Sequence, residues 1–249
     1  MGYGGRESSP AYLIVVWCNK SEFGDEALMS DASNKADLSD IQETVVPVTA
    51  LQQNCSTARN KTTHRAVVVD PGGDVDQIRA ALKELGVTVD HILITHGHID
   101  HIGGAAELAE ALDVKVIGPH EADRPLIDRV EEQAKQFGLD AVRKVEPDQW
   151  LVEGDVVSAA GAEFQVLHCP GHAPGHVVFF NADLKLAISG DVLFAGSIGR
   201  TDLPGGDHDT LIASIKNKLL PLGDDITFLP GHGPASSIGH EKLNNPFLK

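Results

Sequence analysis

The sequence predicts an α+β fold in which two β-sheets pack face to face and helices cover their outer surfaces. Three observations favour this fold. From residue 41 onward, short apolar runs typical of strands alternate with helical patterns. A series of short strands (150–152, 164–168, 176–180 and 186–190) then separates the third predicted helix from the fourth. The chain has 249 residues, of which 42% are hydrophobic, and this is enough for a full core.

The first elements follow from turn and capping residues. Residues 66–73 form a short buried strand that ends in a Pro-Gly-Gly turn. Asp74 then caps a helix in a predicted capping box with Gln77, since apolar residues follow at spacings of three and four. Gly86 ends that helix because glycine readily takes the left-handed backbone of a C-terminal cap.

The same alternation continues along the chain. Strands are expected at 91–95 and 114–118, with a helix at 105–112 between them. A third helix fits 123–137 and a fourth fits 209–220, closed by a glycine and by a proline respectively. Mixed strands with helices between and around them give the two covered sheets of the predicted fold.

Composition excludes several classes of function. The formal net charge of −16 opposes binding to nucleic acid and to anionic membranes. Three widely spaced cysteines (Cys18, Cys55 and Cys169) predict neither a disulfide framework nor a cysteine-rich zinc site, and they favour a reducing cytoplasm. The apolar stretch 11–18 is too short to span a bilayer, and we interpret it as neither a signal peptide nor an anchor.

Two regions are expected along the chain. Residues 1–40 form an N-terminal extension that is poorly ordered or partly strand-like, because residues 19–40 are polar, acidic and without periodicity. Residues 41–249 form the folded domain. No internal repeat divides it further.

One short stretch concentrates residues that bind metals. In ILITHGHIDHIGG, residues 92–104, a buried strand leads into His96, His98, Asp100 and His101, and a helix follows. Imidazole and carboxylate are ligands for zinc and for iron, and an extended loop directs alternate side chains to one side.

Three later strands each deliver one more candidate ligand at a glycine-containing corner: His172, Asp191 and His232. The full set exceeds what one tetrahedral metal needs, which indicates two metals.

Other polar residues receive simpler interpretations. His176 is expected to make a structural hydrogen bond, and Cys169 to be a buried structural thiol. Asp70 ends a strand before a Pro-Gly-Gly turn, so it is first a turn-forming carboxylate; holding a ligand histidine or the metal loop is the alternative. The remaining histidines, such as His64 and His208, are interpreted as surface or core residues outside the site.

Taken in this order, the candidate ligands resemble those of the metallo-β-lactamase fold superfamily, and especially its short bacterial glyoxalase II-like (hydroxyacylglutathione hydrolase-like) members. The resemblance covers residues 41–249 and includes DPGGD (70–74), CPGHAPGH (169–176), GRTD (199–202) and PGHGP (230–234). It implies an αββα four-layer sandwich with two divalent metals at one edge of the sheets. Zinc is the first expectation for these metals, with iron and manganese as alternatives.

The resemblance also implies a division of the ligands. One metal is bound by His96, His98 and His172; the other is bound by Asp100, His101 and His232; and Asp191 bridges the two. A hydroxide that bridges the metals then attacks a small-molecule thioester such as S-lactoylglutathione, to give lactate and glutathione in methylglyoxal detoxification. We also expect Asp100 to handle the proton of this water.

This sequence departs from the family pattern in two places. Residues 233–249 leave no counterpart for the helical glutathione-binding domain of full-length glyoxalase II, so the resemblance leaves the thiol and the acyl group open. The polar STARNKTTHR (56–65) replaces an apolar strand, which predicts a weak first hairpin for which the stretch 11–18 could substitute. For the assembly we expect a monomer or a homodimer.

Two other functions remain open at this point. Persulfide dioxygenases share the fold and use a single iron at positions matching His96, His172 and Asp191, so metal count and oxygen uptake would distinguish them. A non-catalytic, metal-stabilised binding protein is the second alternative. Nuclease activity is less favoured because the basic surface is missing, and β-lactamase activity is less favoured because an amide nitrogen leaves less readily than a thiolate.

Overall fold

The computed structural model describes residues 13–15, 38–136 and 142–249. Most of the predicted N-terminal extension, including Cys18, therefore lies outside the described residues, as does the predicted end of the third helix at Gly138.

The first sheet is built from the first half of the chain. Its described strands lie side by side in sequence order. Pairing is antiparallel from the first strand to the fourth and parallel from the fourth to the sixth. The strands are β1 (Leu13–Val15), β2 (Ile41–Val48), β3 (Gln53–Asn60), β4 (Arg65–Val69), β5 (Thr88–Leu93) and β6 (Lys115–Ile117).

The second sheet comes from the second half of the chain. The strands of this half are β7 (Val156–Ala159), β8 (Ala162–His168), β9 (Val177–Asn181), β10 (Leu186–Gly190), β11 (Leu193–Phe194), β12 (Ser197–Ile198), β13 (Thr227–Pro230) and β14 (Ser236–Ser237). Within the described residues the order in the sheet is β14-β13-β10-β9-β8-β7, and only β10 and β13 pair in parallel. Strands β11 and β12 form a separate small hairpin.

Short helices connect and cover the sheets. They are α1 (Val75–Leu85), α2 (Ile99–Ile102), α3 (Ala105–Leu112), α4 (Arg124–Ile127), α5 (Val130–Gln136), α6 (His208–Ser214) and α7 (Ile238–Asn244). A wider helical turn, Ile215–Leu219, continues α6, and single 3-10 turns occur at Leu38–Asp40, Glu121–Asp123, Leu220–Leu222 and Pro246–Leu248.

Three apolar layers show how these elements stack. Strand β4 alternates its side chains, so that Val67 and Val69 face one side and Val68 the other. Val67 and Val69 pack with Phe179 of the second sheet, while Val68 packs in the layer that contains Leu108 of α3. A third layer joins the outer face of the second sheet to α6 and α7. The predicted α+β sandwich, with helices outside both sheets, is confirmed.

The predicted capping box of α1 is wrong. Asp74 has left-handed backbone angles, φ 47° and ψ 44°, and its side chain caps no amide of the helix. Its Oδ2 instead accepts a hydrogen bond from the Thr49 amide at 2.7 Å, while the Gln77 side chain donates to the Pro47 carbonyl at 3.2 Å. Both side chains therefore tie the turn to the end of β2, which local spacing could not reveal. Gly86 ends the helix as predicted.

The third and fourth predicted helices are less regular than their patterns indicated. The third is divided into a 3-10 turn, α4 and α5, with Pro125 in the first turn of α4. The fourth begins at His208, one residue early, and continues through a wider turn and a 3-10 turn to Leu222. Residues 150–152 form no strand; the neighbouring Gln149 makes an isolated bridge to Ile117.

The expectation of a weak first hairpin is also wrong. Strands β2 and β3 pair over their full length, from Ile41 opposite Asn60 to Val48 opposite Gln53. Strand β1 pairs on the outer edge of β2 and does not replace β3. Thr44 and Thr57, which lie opposite each other, are both buried. β-Branched threonine suits a strand, so polarity alone was a poor guide here.

Candidate metal centre

The predicted ligands follow strand ends that meet at one edge of the two sheets. His96 and His98 lie in the loop after β5, and Asp100 and His101 lie in α2, which begins directly after His98. The remaining three come from the second sheet: His172 from the loop between β8 and β9, Asp191 directly after β10, and His232 two residues after the end of β13.

Three histidine nitrogens form the first group. His172 Nε2 lies 3.2 Å from His96 Nε2 and 2.9 Å from His98 Nδ1. All three side chains are buried or nearly so. Nitrogen atoms this close can all face one point, which is the arrangement that three ligands of a single cation require.

A second group contains Asp100, His101 and His232. Asp100 Oδ2 lies 3.1 Å from His232 Nε2 and 3.7 Å from His101 Nε2. The ligand atoms of these three side chains also lie within 4.8 Å of one another. Because this group includes a carboxylate and the first does not, the two differ in charge.

Asp191 lies between the groups. Its Oδ1 is 3.4 Å from His101 Nε2, and its Oδ2 is 3.6 Å from His172 Nε2 and 3.7 Å from His232 Nε2. One carboxylate therefore reaches both groups. The structure brings together all the residues that the sequence singled out as metal ligands.

Two buried atoms in this cluster test whether it suits a metal. His101 Nε2 and Asp191 Oδ1 are buried, and neither has a hydrogen-bond partner. An unpaired polar atom inside a protein is costly, so such atoms call for a partner. Both face the other candidate ligands, and imidazole nitrogen and carboxylate oxygen are the donor types that zinc and iron accept. The cluster fits a metal.

The electrostatic environments of the two groups differ. Burial lowers the pKa of His96 well below its usual value and that of His98 to about 4, and it also lowers the pKa of His172. These rings are neutral at neutral pH and offer a lone pair. Burial opposes protonation of His101 as well, but nearby carboxylates, that of Asp191 first, raise its pKa well above the usual value.

Asp70 is linked by hydrogen bonds to candidate ligand histidines in both groups, to His101 directly and to His96 through Thr95. Its Oδ2 accepts a hydrogen bond from His101 Nδ1 at 2.9 Å, which directs Nε2 of that ring into the cluster. Its two oxygens also accept from the Thr95 amide at 2.7 Å and from Thr95 Oγ1 at 2.6 Å. Thr95 Oγ1 lies 3.0 Å from His96 Nδ1. A third group that could hold a metal consists of Asp70, His96 and His101. The Asp70 oxygens already accept hydrogen bonds from Thr95 and His101, however, so these contacts fit a residue that holds the histidines better than a metal ligand.

Backbone groups fix two further residues of the cluster. His172 Nδ1 lies 2.8 Å from the Arg200 carbonyl, to which it donates, and this leaves Nε2 free to face the cluster. The GRTD segment (199–202) thus helps to orient His172 through the backbone carbonyl of Arg200. His176 Nε2 accepts from the Asp191 amide at 3.0 Å, which confirms the predicted structural hydrogen bond of His176.

Gly190 has φ +47°, and a Cβ atom there would lie 2.7 Å from His176 Nε2, so a side chain has no room at this corner. Cys169 is buried, which confirms the predicted structural thiol, and burial raises its pKa to about 12.

Sequence reasoning missed two residues that hold the ligand loops. Asn54 Nδ2 donates to the carbonyls of Pro230 and Gly233 at 3.0 and 2.9 Å, on either side of His232. Asp123 accepts hydrogen bonds from Gly97 and Gly175. Their partners are backbone groups distant in sequence. A motif of the resembled family, Gln53-Asn54-Cys55 at the start of β3, offered a signal for Asn54, and nothing comparable marked Asp123.

A sequence profile of the metallo-beta-lactamase superfamily matches residues 48–232, most of the chain. The chain belongs to the metallo-beta-lactamase superfamily. This confirms both the resemblance and the fold that the sequence predicted.

Several known proteins resemble the chain over most of its length. Hydroxyacylglutathione hydrolase GloC of Haemophilus influenzae is 45% identical over 205 residues, which cover 82% of this chain and 96% of that protein. The BLEG-1 B3 metallo-beta-lactamase superposes with a TM-score of 0.77 at 36% identity, covering 83% of this chain and 99% of the other. The di-iron-bound form of TTHA1623 has a TM-score of 0.73 at 41% identity, with coverages of 82% and 99%.

These similarities and the cluster together support hydrolase chemistry that uses metal ions. No helix among the described residues is both long and apolar enough to span a bilayer.

Proposed function

We propose that this superfamily member is a two-metal thioester hydrolase that acts on hydroxyacyl thioesters of glutathione, such as S-lactoylglutathione. The observation that carries the proposal is the position of Asp191, whose two oxygens reach both groups of candidate ligands. The 45% identity to a hydroxyacylglutathione hydrolase supports the substrate class. We further propose a cytoplasmic location, where glutathione keeps thiols reduced.

The first metal would be held by the neutral nitrogens of His96, His98 and His172. The second would be held by Asp100, His101 and His232. We propose zinc for both, since imidazole and carboxylate suit it; a di-iron-bound relative makes iron the alternative. Asp191, whose oxygens lie near both groups, would neutralise part of the charge of both metals.

Bound metals would supply a water with a lowered pKa and would polarise the carbonyl of the thioester. The protein side chains would have two tasks in the reaction. Asp191 and the histidines would hold the metals and would thereby orient the substrate carbonyl. Asp100 Oδ2 faces His232 and His101 and would bind the metal, which would leave Oδ1 of the same carboxylate to receive a proton. The thiol leaving group has a pKa of about 8.5, so it departs as thiolate without a strong general acid.

The test is an Asp191→Ala variant. We expect it to lose the second metal and to lose S-lactoylglutathione hydrolysis together, because it removes the carboxylate that lies between the two groups. Asp225→Ala is the matched control, since Asp225 is an exposed carboxylate paired with Lys185. An Asp191→Ala protein with two metals and undiminished hydrolysis would show that the proposed bridging role is wrong.

A further inference from the structure

A segment without candidate ligands packs against two of the ligand loops. It comprises residues 120–127, which form the 3-10 turn and α4. Asp123 lies in its middle and is fully buried, and no cation pairs with it among the described residues. A buried carboxylate is costly unless strong hydrogen bonds compensate for its lost hydration, so the contacts of Asp123 need an explanation.

The Asp123 carboxylate links the two loops directly. Its Oδ2 accepts from the Gly97 amide at 2.8 Å, and its Oδ1 accepts from the Gly175 amide at 2.5 Å. Gly97 lies between His96 and His98 in sequence. Gly175 immediately precedes His176, whose Nε2 accepts from the Asp191 amide. The Asp123 carboxylate therefore binds the amide of the residue between two candidate ligands, His96 and His98. Through Gly175 and the hydrogen bond of His176, it is also connected to a third, Asp191.

Close packing makes this link rigid. A Cβ atom at Gly175 would lie 2.5 Å from the His120 carbonyl oxygen and 2.6 Å from the Asp123 amide nitrogen. A Cβ atom at Gly97 would lie 3.0 Å from Cγ1 of Ile127. The backbone adds two bonds, from the His120 amide to the Gly175 carbonyl at 3.1 Å and from the Asp123 amide to the His120 carbonyl at 3.0 Å. Both loops therefore have little freedom to move relative to the segment.

We infer that Asp123 is a positioning residue whose carboxylate sets the separation of the loops 96–98 and 172–176, and thereby the metal affinity of the group formed by His96, His98 and His172. The inference rests on the proposed metal-dependent function. It requires a carboxylate, because both of its oxygens accept. Asparagine has nearly the same shape, but its NH₂ group would face one of the two glycine amides, so one hydrogen bond becomes a contact between two donors.

The test compares the metal affinities of Asp123→Asn, Asp123→Ala and the unmodified protein. Chelator competition measures zinc affinity, and the absorption of cobalt(II) distinguishes the all-nitrogen group from the group that contains Asp100. We expect Asp123→Asn to weaken binding at the three-histidine group by about 10- to 100-fold, as is typical when a partner that orients metal ligands is lost, and Asp123→Ala to weaken it further. Binding at the other group should change much less.

Asp148→Asn is the matched control, because Asp148 Oδ2 also accepts a backbone amide, that of Val116, at 2.9 Å, but does not contact a ligand loop. Equal affinities in Asp123→Asn and Asp148→Asn would overturn the inference while leaving the proposed function intact. An unmodified protein that binds no metal would instead overturn the proposed function, and the inference with it.

A second measurement needs no variant and applies if Asp123→Asn does not fold. Hydrogen exchange of the unmodified protein is compared with and without zinc. We expect segment 120–127, which contains no candidate ligand, to gain protection from exchange when zinc binds. The loops 96–98 and 172–176 should gain protection with it, because the Asp123 carboxylate couples them. A segment whose exchange is unaffected by zinc would contradict the inference.

Discussion

The hydrogen bond from His101 to Asp70 can be removed with little change of shape by an Asp70→Asn variant. Asp70 has a left-handed backbone, φ 53°, which asparagine tolerates well, so the turn should persist. At the position of Oδ2, however, an NH₂ group would then face His101 Nδ1, 2.9 Å away. Since two donors cannot bond, the ring would keep its proton on Nε2, the nitrogen that faces the cluster.

The size of the effect follows from the bond that is lost. A hydrogen bond to a charged group contributes about 1.5–3 kcal/mol, and each 1.4 kcal/mol is a factor of about ten in an equilibrium constant. We therefore expect metal affinity at the group of Asp100, His101 and His232 to fall about 10- to 100-fold, in line with other partners that orient metal ligands. The three-histidine group should be affected less, because Asp70 reaches His96 only through Thr95.

The assay is chelator competition combined with metal analysis after dialysis. Asp74→Asn is a close control: Asp74 lies in the same turn, has φ 47°, and accepts a single backbone amide, that of Thr49, outside the cluster. Asp70→Asn should retain about one metal per chain under conditions in which Asp74→Asn retains two. If Asp70→Asn binds both metals as tightly as its control, Asp70 does not orient His101 in the way argued above.

Two further predictions concern other buried polar groups. Burial raises the pKa of Glu43 from 4.5 to about 8, so the folded state holds this proton more tightly than the unfolded state. The free energy of unfolding should therefore fall as pH rises from about 4.5 to about 8. Glu43→Gln should remove about 3 to 4 kcal/mol of that loss in urea unfolding at pH 8 compared with pH 5. Identical pH dependence in both proteins would contradict this. Asn54→Ala removes two hydrogen bonds to the carbonyls that flank His232, so cobalt(II) affinity of the group containing His232 should fall about tenfold; unchanged affinity would refute it.

The sequence-based predictions agree best with the structure where the residues concerned lie close together in the chain. The candidate ligands could be recognised in the sequence because His96, His98, Asp100 and His101 are nearly contiguous. Each later candidate also follows a strand at a glycine corner. The resemblance then supplied the division into two groups, which spacing alone leaves open.

Contacts between distant parts of the chain account for what was missed. Asp123 matters through amides 26 and 52 residues away, and nothing near it in sequence marks that role. The capping box failed for the same reason, since Asp74 bonds across 25 residues to Thr49. Buried threonines pack in the first hairpin, where the polar sequence of β3 had predicted only a weak strand. In each case tertiary contacts overruled a local pattern.

The central claim is that two metals held by this cluster are needed for thioester hydrolysis. Its most direct test is to titrate the metal-free protein with zinc while following S-lactoylglutathione hydrolysis. We predict that the rate rises from near zero and reaches its plateau at about two metals per chain, the number expected for a bridged two-metal site. A protein that is fully active with one iron and consumes oxygen with a persulfide, while leaving the thioester intact, would contradict the account.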